Sequence, residues 1–592
     1  MHLGPRGTPV RESTRRRWRR RVAVAAGTFL TAAGMAAPAL PAHAAGTTIA
    51  EAAAAAQQRF GVPASLLEAI CYFEGQLSDH GGAPSSDGGY GCVDLARNSH
   101  LDTLGQAARL LGVPASSIRA SQSLDIAGAA AVLRADAISL SATRQVPLTL
   151  GGWYGAVAKY SGARHDVAVR YADEVYRILQ RGLTATAPTG ETVRIAPTAV
   201  IPDTATARNV TTALTPPADC ASNPGTDYPS AYNCIVPAGY AGVTYDTASR
   251  PSTLPVLALT IHDTEETLDA TIATFWNERN RVSIQYVVDT DGTVYQCLHE
   301  KDVAFHNGNF WYNQRTIGIE NVGVDAAGYQ WYNATEYLGS AVLAAYLLNK
   351  YGIPLDHEHG MSHGTTPAPT LSYSPNHVDP GPYWLWDYYL DLINQQGVPF
   401  AAGTTPSGVI RFNPSSGQQP AGSGGTESTA NDNFFYLYTQ PSTASAALPS
   451  ERPGDITDES NNIETMISYD VLAQEPDQAG TGDIMYEIWY GATLSPPCWS
   501  AAGTEAWIAV PPGAAEQGYG TVVTLSAKEN NSASVYGRPG GTSGNIIGST
   551  PYGSAYLSPW TVTVSGTTWY AINYNHRQAW VPASEVSSTR TT

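Results

Sequence analysis

Val256-Leu-Ala-Leu-Thr-Ile-His262 is a short apolar run closed by a histidine. Its length and its β-branched and aliphatic content predict a buried strand, which would carry His262 to a sheet edge. A second run, Thr316-Ile-Gly-Ile-Glu320, repeats the pattern and ends in a carboxylate. Downstream stand His363 and the turn His377-Val378-Asp379-Pro380-Gly381-Pro382. Zinc in a hydrolytic site takes three protein ligands from His, Cys, Asp or Glu and keeps a fourth position for water. His262, His363 and Asp379 offer that set, and Glu320 offers a base for the bound water. Each residue also has a plain alternative: a satisfied histidine at a strand end, or a strand glutamate paired with Arg315. His357 and His359 precede His363 in one loop and are expected beside the ligands or in solvent.

The surrounding pattern predicts how these residues are held. A helix is expected over Thr267–Trp276, then a hairpin over Ser283–Cys297 turning at Asp289-Thr-Asp-Gly292. Asn333-Ala-Thr-Glu336 should cap a long helix whose buried face is Ala341–Leu348, with Gly352 and Pro354 ending it. Strands alternating with helices make a central α/β domain with a mixed sheet, residues 226–400.

Six landmarks in one order carry a family resemblance. They are Tyr228-Pro-Ser-Ala, the strand into His262, the hairpin from Tyr286, Ala304-Phe-His306-Asn-Gly, Ile317-Gly-Ile-Glu320, and Ser362-His363 with Asp379-Pro-Gly-Pro382. This stretch, roughly 228–393, resembles the type 2 N-acetylmuramoyl-L-alanine amidase and peptidoglycan-recognition protein superfamily of zinc amidases. The resemblance implies Zn2+ on His262, His363 and Asp379, and cleavage of the amide between N-acetylmuramic acid and the L-alanine of the stem peptide in peptidoglycan. It implies Glu320 as general base, shuttling a proton from water to the leaving amine. His377 stands where many bacterial relatives carry Lys and would donate to the oxyanion; an imidazole there titrates near pH 6.5 and would add a pH-dependent limb. Tyr286 would stand beside the bound water, and His306, Asn307 and Trp311 would line the groove for the muropeptide. A peptidoglycan-binding protein that does not cut is the rival reading.

At 592 residues the chain exceeds a single core, and 43% apolar content suits several globular domains. Arg15-Arg16-Arg17 and Arg19-Arg20-Arg21 precede the apolar run Val22–Ala37, and Ala42-His43-Ala44 reads as a cleavage site. Residues 1–44 are therefore expected to be a signal peptide, exported by the twin-arginine or the ordinary route. Loss of its eight Arg and one acid moves the formal net charge from −18 to −25. Such a surface repels phosphate backbones and argues against nucleic acid. A secreted, cell-wall-associated monomer with no membrane span in the mature chain is expected. Six cysteines in a secreted chain read first as disulfides; Cys71/Cys92 and Cys220/Cys234 are the local candidates.

Residues 45–185 read as helical, with Ser65-Leu-Leu-Glu68 spaced as a capping box. Glu74, Gly88-Gly-Tyr-Gly91 and Trp153-Tyr-Gly-Ala-Val-Ala-Lys-Tyr160 resemble the lysozyme-like fold of lytic transglycosylases. That likeness makes Glu74 a candidate second active site, a glutamate whose raised pKa would protonate a glycosidic oxygen. Gly75 follows Glu74 and Cys92-Val-Asp94 follows the glycines, both departures from that family. A structural helix-end glutamate is the alternative. Ala-, Thr- and Pro-rich residues 186–225 and Gly/Ser-rich residues 401–430 read as linkers. Beyond them, Tyr486-Glu-Ile-Trp489-Tyr490 with Ala506-Trp507-Ile508 is echoed by Trp569-Tyr-Ala-Ile-Asn-Tyr574 with Ala579-Trp580-Val581. Residues 431–515 and 516–592 thus resemble two all-β bacterial SH3-like wall-binding domains.

Overall fold

The apolar run ending at His262 forms the strand Ala258–Asp263, every residue of it buried. Coverage on both faces explains why it reads as continuous rather than alternating hydrophobicity. The six-stranded sheet has the order Gly360–Ser362, Ala258–Asp263, Thr316–Asn321, Tyr286–Val288, Val294–Gln296, Tyr232–Asn233. Its first four strands are parallel, Val294–Gln296 is antiparallel to its hairpin partner, and Tyr232–Asn233 is parallel to Val294–Gln296. The sheet is mixed, as the sequence predicts. The computed structural model describes residues 47–210, 216–220, 225–325, 331–373, 376–414, 433–450, 452, 454–495, 498–526 and 532–592. The expected signal peptide lies outside them.

The long helix Ala334–Tyr351 covers the sheet. The Asn333 side chain accepts from the Glu336 amide at its start, and Gly352 ends it in the left-handed region. It lies directly on the hairpin turn: Gly292 has φ 74°, and a Cβ on Gly339 would meet the Gly292 Cα at 2.5 Å. Both positions need glycine.

Residues 49–181 are largely helical. The helix Ala64–Gly75 starts from Pro63 with no side-chain cap bond, so the expected Ser65–Glu68 box does not form. Proline at the entry already presets φ, which makes a side-chain cap dispensable there. Cys71 is bridged to Cys92 and Cys220 to Cys234, while Cys297 is buried and free.

Both stretches expected as linkers contribute strands. Thr192–Ile195 pairs with Leu183–Thr186, its Val193 and Ile195 buried and its Thr192 and Arg194 exposed. Val409–Phe412 lies between Ser468–Pro476 and Ala515–Gln517 in a seven-stranded sheet. A four-residue period-2 pattern inside polar surroundings is too short to stand out as a strand. The expected boundary at 515/516 falls inside the strand Ala515–Gln517. Residues 521–590 add a three-stranded and a five-stranded sheet. No helix of the described residues is long and apolar enough to cross a membrane.

Both flanks pack on the central sheet domain. The Tyr388 hydroxyl donates to the Phe73 carbonyl at 2.9 Å, and Trp331 Nε1 donates to the Ala83 carbonyl at 3.1 Å. On the other side Trp580 Nε1 donates to the Tyr312 hydroxyl at 2.8 Å, which donates to the Gln578 carbonyl at 2.8 Å. Trp311, Tyr312, Met361, Trp569 and Trp580 form one buried cluster across that junction. Trp580→Ala should therefore cost about 3–5 kcal/mol of stability. Calorimetry should show the loss in the transition that includes the central domain; an unchanged central transition would contradict this packing.

Candidate metal centre and cleft

Register places the site. In the parallel pairing His262 is opposite Glu320, and Ser362 is opposite Ile261. Opposed residues of neighbouring strands share a face, so His262 and Glu320 emerge together at the carboxyl ends of their strands. His363 follows immediately, its amide donating to the Ile261 carbonyl at 3.0 Å. Open α/β sheets bind ligands outside this edge. The loop after His363 brings in the last member, with the Gly364 amide donating to the Asp379 carbonyl at 2.9 Å.

His262 Nδ1 lies 2.9 Å from Asp379 Oδ2, and His363 Nδ1 lies 2.9 Å from Asp379 Oδ1. One nitrogen from each histidine and one carboxylate oxygen stand within 4.8 Å of one another. All three residues are buried. Two imidazoles and a carboxylate match the donor set of a catalytic zinc, and the buried His363 Nε2 has no hydrogen-bond partner. The residues fit the ion. Burial alone would raise the Asp379 pKa, but His363, His262 and His377 hold it well below the usual carboxylate range. Burial pushes His363 down to about 4, so it is a neutral donor at physiological pH.

The three donors form the floor of a cleft of about 650 Å³. Glu320 also lines it, with Oε2 buried and unpartnered. Burial, then Asp379, Asp263 and Glu265, raise the Glu320 pKa well above the carboxylate norm. His377 stacks on His363 with ring centroids 4.3 Å apart, yet its side chain remains 61% exposed toward the cleft. His306 Nδ1 lies 2.9 Å from His262 Nε2 and the ring lines the cleft.

Four expected site residues lie elsewhere. Tyr286 is fully buried and its hydroxyl donates to Glu300 Oε1 at 2.5 Å. It is opposite Ile319 in the register, whereas Val287 is opposite Glu320; the period of two turns the tyrosine to the sheet's other face. Asn307 is buried, its Nδ2 donating to Thr316 Oγ1 at 2.8 Å and its carbonyl accepting from Asn376. It shapes the loop. Trp311 packs edge-on against Trp580 at 5.2 Å, covered by the C-terminal sheets. Glu74 is 5% exposed and its Oε2 accepts from the Ala334 amide at 3.2 Å, so it caps the long helix; burial pushes its pKa up to about 8. His357 and His359, expected beside the ligands or in solvent, are both buried, His359 against Asp356 at 2.7 Å.

The cleft also contains residues that sequence reasoning missed: Phe275, Phe305, Phe310, Asn313, Glu265 and Arg281. Phe305 and Phe310 flank the noticed histidine segment, and an aromatic beside His306 was the available signal. Glu265 and Arg281 both have positive φ, 52° and 57°. Such non-glycine strain concentrates at functional sites, and nothing in the local sequence announces it. Tyr286→Phe should leave cleft chemistry within about twofold while costing about 1–2 kcal/mol, the worth of one buried hydrogen bond. Peptidoglycan digests made with Glu74→Gln should carry the same content of anhydro-muramic ends and of new reducing ends as wild type; a difference in either would reinstate a second active site.

The N-acetylmuramoyl-L-alanine amidase family profile matches residues 252–382. N-acetylmuramoyl-L-alanine amidase A of Achromobacter lyticus is 30% identical over 169 residues, 26% of this chain and 89% of that protein. Among solved structures, the amidase AmiD from E. coli, in complex with the substrate anhydro-N-acetylmuramic acid-L-Ala-D-gamma-Glu-L-Lys, is 24% identical with a TM-score of 0.21, covering 26% of this chain and 60% of that one. A mutant endolysin from Bacillus subtilis is 20% identical with a TM-score of 0.21, covering 27% and 96%. The relative from A. lyticus is matched over most of its own length, and the chain belongs to the N-acetylmuramoyl-L-alanine amidase family of enzymes.

Proposed function

We propose that the protein is a secreted, zinc-dependent amidase that cuts peptidoglycan between N-acetylmuramic acid and the L-alanine of the stem peptide. The convergence of His262, His363 and Asp379 on the floor of an open cleft, beside an unpartnered Glu320 oxygen, carries this reading. His262, His363 and Asp379 would hold the zinc ion. When bound, the ion supplies Lewis acidity, polarising a carbonyl and acidifying water.

The remaining work belongs to the chain. Glu320 takes the proton from the attacking water as the bond to the lactyl carbonyl carbon forms. It returns that proton to the departing L-alanine nitrogen as the C–N bond breaks. Its raised affinity for a proton suits both transfers. His377 donates a hydrogen bond to the carbonyl oxygen as charge develops there. Phe305 and Phe310 offer apolar walls, and Arg281 a cation for a peptide carboxylate. The expected leader 1–44 supports export, and the C-terminal β region supports attachment to the wall.

Glu320→Gln should lower turnover by about 10²–10⁴-fold, read by mass spectrometry of sacculus digests as stem peptide freed from glycan. A chelator should abolish the activity of wild type and Zn2+ should restore it, while His262→Ala should not recover. Stem peptides that stay attached under all conditions would reduce the protein to a wall binder.

A further inference from the structure

Glu459, Glu464 and His576 form a second buried cluster, with one ligand atom from each within 4.8 Å of the others. These residues are 3%, 1% and 4% exposed. His576 Nε2 is 3.6 Å from Glu459 Oε1 and 3.7 Å from Glu464 Oε1, too far for hydrogen bonds. All three atoms are buried and without a hydrogen-bond partner. Buried polar atoms of native proteins are otherwise almost always satisfied, so three facing one another call for something between them.

The outer partners orient each group inward. His576 Nδ1 lies 3.0 Å from the Asn462 carbonyl, which fixes a proton on that nitrogen and leaves Nε2 facing the carboxylates. Glu459 gives Oε2 to Arg577, and Glu464 accepts from Ser362 Oγ with Oε2 at 3.0 Å. Each carboxylate thereby keeps Oε1 for the interior. His357 Nε2 lies 3.0 Å from Glu464 Oε2, while its Nδ1 is 2.8 Å from the Thr465 carbonyl. The Phe434 ring, edge-on to His576 at 5.2 Å, and Trp386, stacked on His357 at 3.9 Å, keep the pocket apolar outside this cluster. Around the two carboxylates stand one guanidinium, Arg577, and two imidazoles, His357 and His576.

We propose that Glu459, Glu464 and His576 bind a second divalent metal ion of the zinc class, separate from the cleft and structural in role. Ligand atoms about 2.0–2.1 Å from tetrahedral zinc stand about 3.3 Å apart. The observed separations from His576 close to that value with small side-chain shifts. The ion ties the C-terminal β region to the catalytic edge: a Cβ on Gly364, next to His363, would meet Glu459 Oε1 at 2.0 Å. Ser362, which holds Glu464, precedes His363 in the chain.

The test counts metal in the full chain. Protein loaded with Zn2+ alone, then desalted, should contain two equivalents by elemental mass spectrometry, and the His262→Ala/His363→Ala variant one. Adding Glu464→Gln to that variant should remove the remaining ion, with folding checked by circular dichroism. In the His262→Ala/His363→Ala background, Zn2+ should raise the unfolding midpoint, and Glu464→Gln should abolish the rise. Absence of metal from that background, or metal unaffected by Glu464→Gln, overturns the proposal. Loss of the cleft ion alone would leave one equivalent in wild type, still removed by Glu464→Gln, so failure of the amidase reading is separately visible.

Discussion

The parallel pairing of three strands is the constraint on which the site depends. Because Gly360–Ser362, Ala258–Asp263 and Thr316–Asn321 run the same way in fixed register, their ends stop at one level of the sheet. His262, Glu320 and His363 are then neighbours without any loop having to search for them. A slip of one residue would send His262 or Glu320 to the opposite face. The near-total burial of Ala258–Asp263 resists such a slip.

That edge is also where charge accumulates. Asp263, Glu265, Glu320 and Asp379 surround one small volume, and Asp325, hydrogen-bonded to Glu265, is pushed up to about 10 by burial and its acidic neighbours. Tyr332 steadies Asp263 with a hydrogen bond of 2.6 Å. Acids crowded in low dielectric raise one another's proton affinity and attract a cation. At Glu459 and Glu464 the two buried carboxylates are met instead by Arg577 and by the imidazoles of His357 and His576, which hold Glu464 below the usual carboxylate range. Both clusters border the strand that leads to His363, so metal affinity at one and geometry at the other share a support.

The flanking regions are more than tethers. The N-terminal helices lend Glu74 to the start of the helix that covers the sheet. The C-terminal sheets seat Trp580 on Tyr312 and Trp311. Residues that look like substrate contacts in a central domain standing alone are thus consumed by packing.

His262, Glu320, His363 and Asp379 were legible because a strand-terminal residue is set by a short local pattern, and because the chain order of those patterns matched a family. The capped long helix and the hairpin were legible for the same reason, each being encoded within one stretch of residues, and the mixed sheet followed from strands alternating with helices along the chain. Tyr286 was misplaced because face depends on register with a partner strand distant in sequence. Asn307, Trp311 and Glu74 were misplaced because burial depends on what other regions cover. Local pattern determined which side chains reach the sheet edge; tertiary packing decided which of the remaining polar and aromatic groups keep access to solvent, since covering a side chain takes atoms from far along the chain.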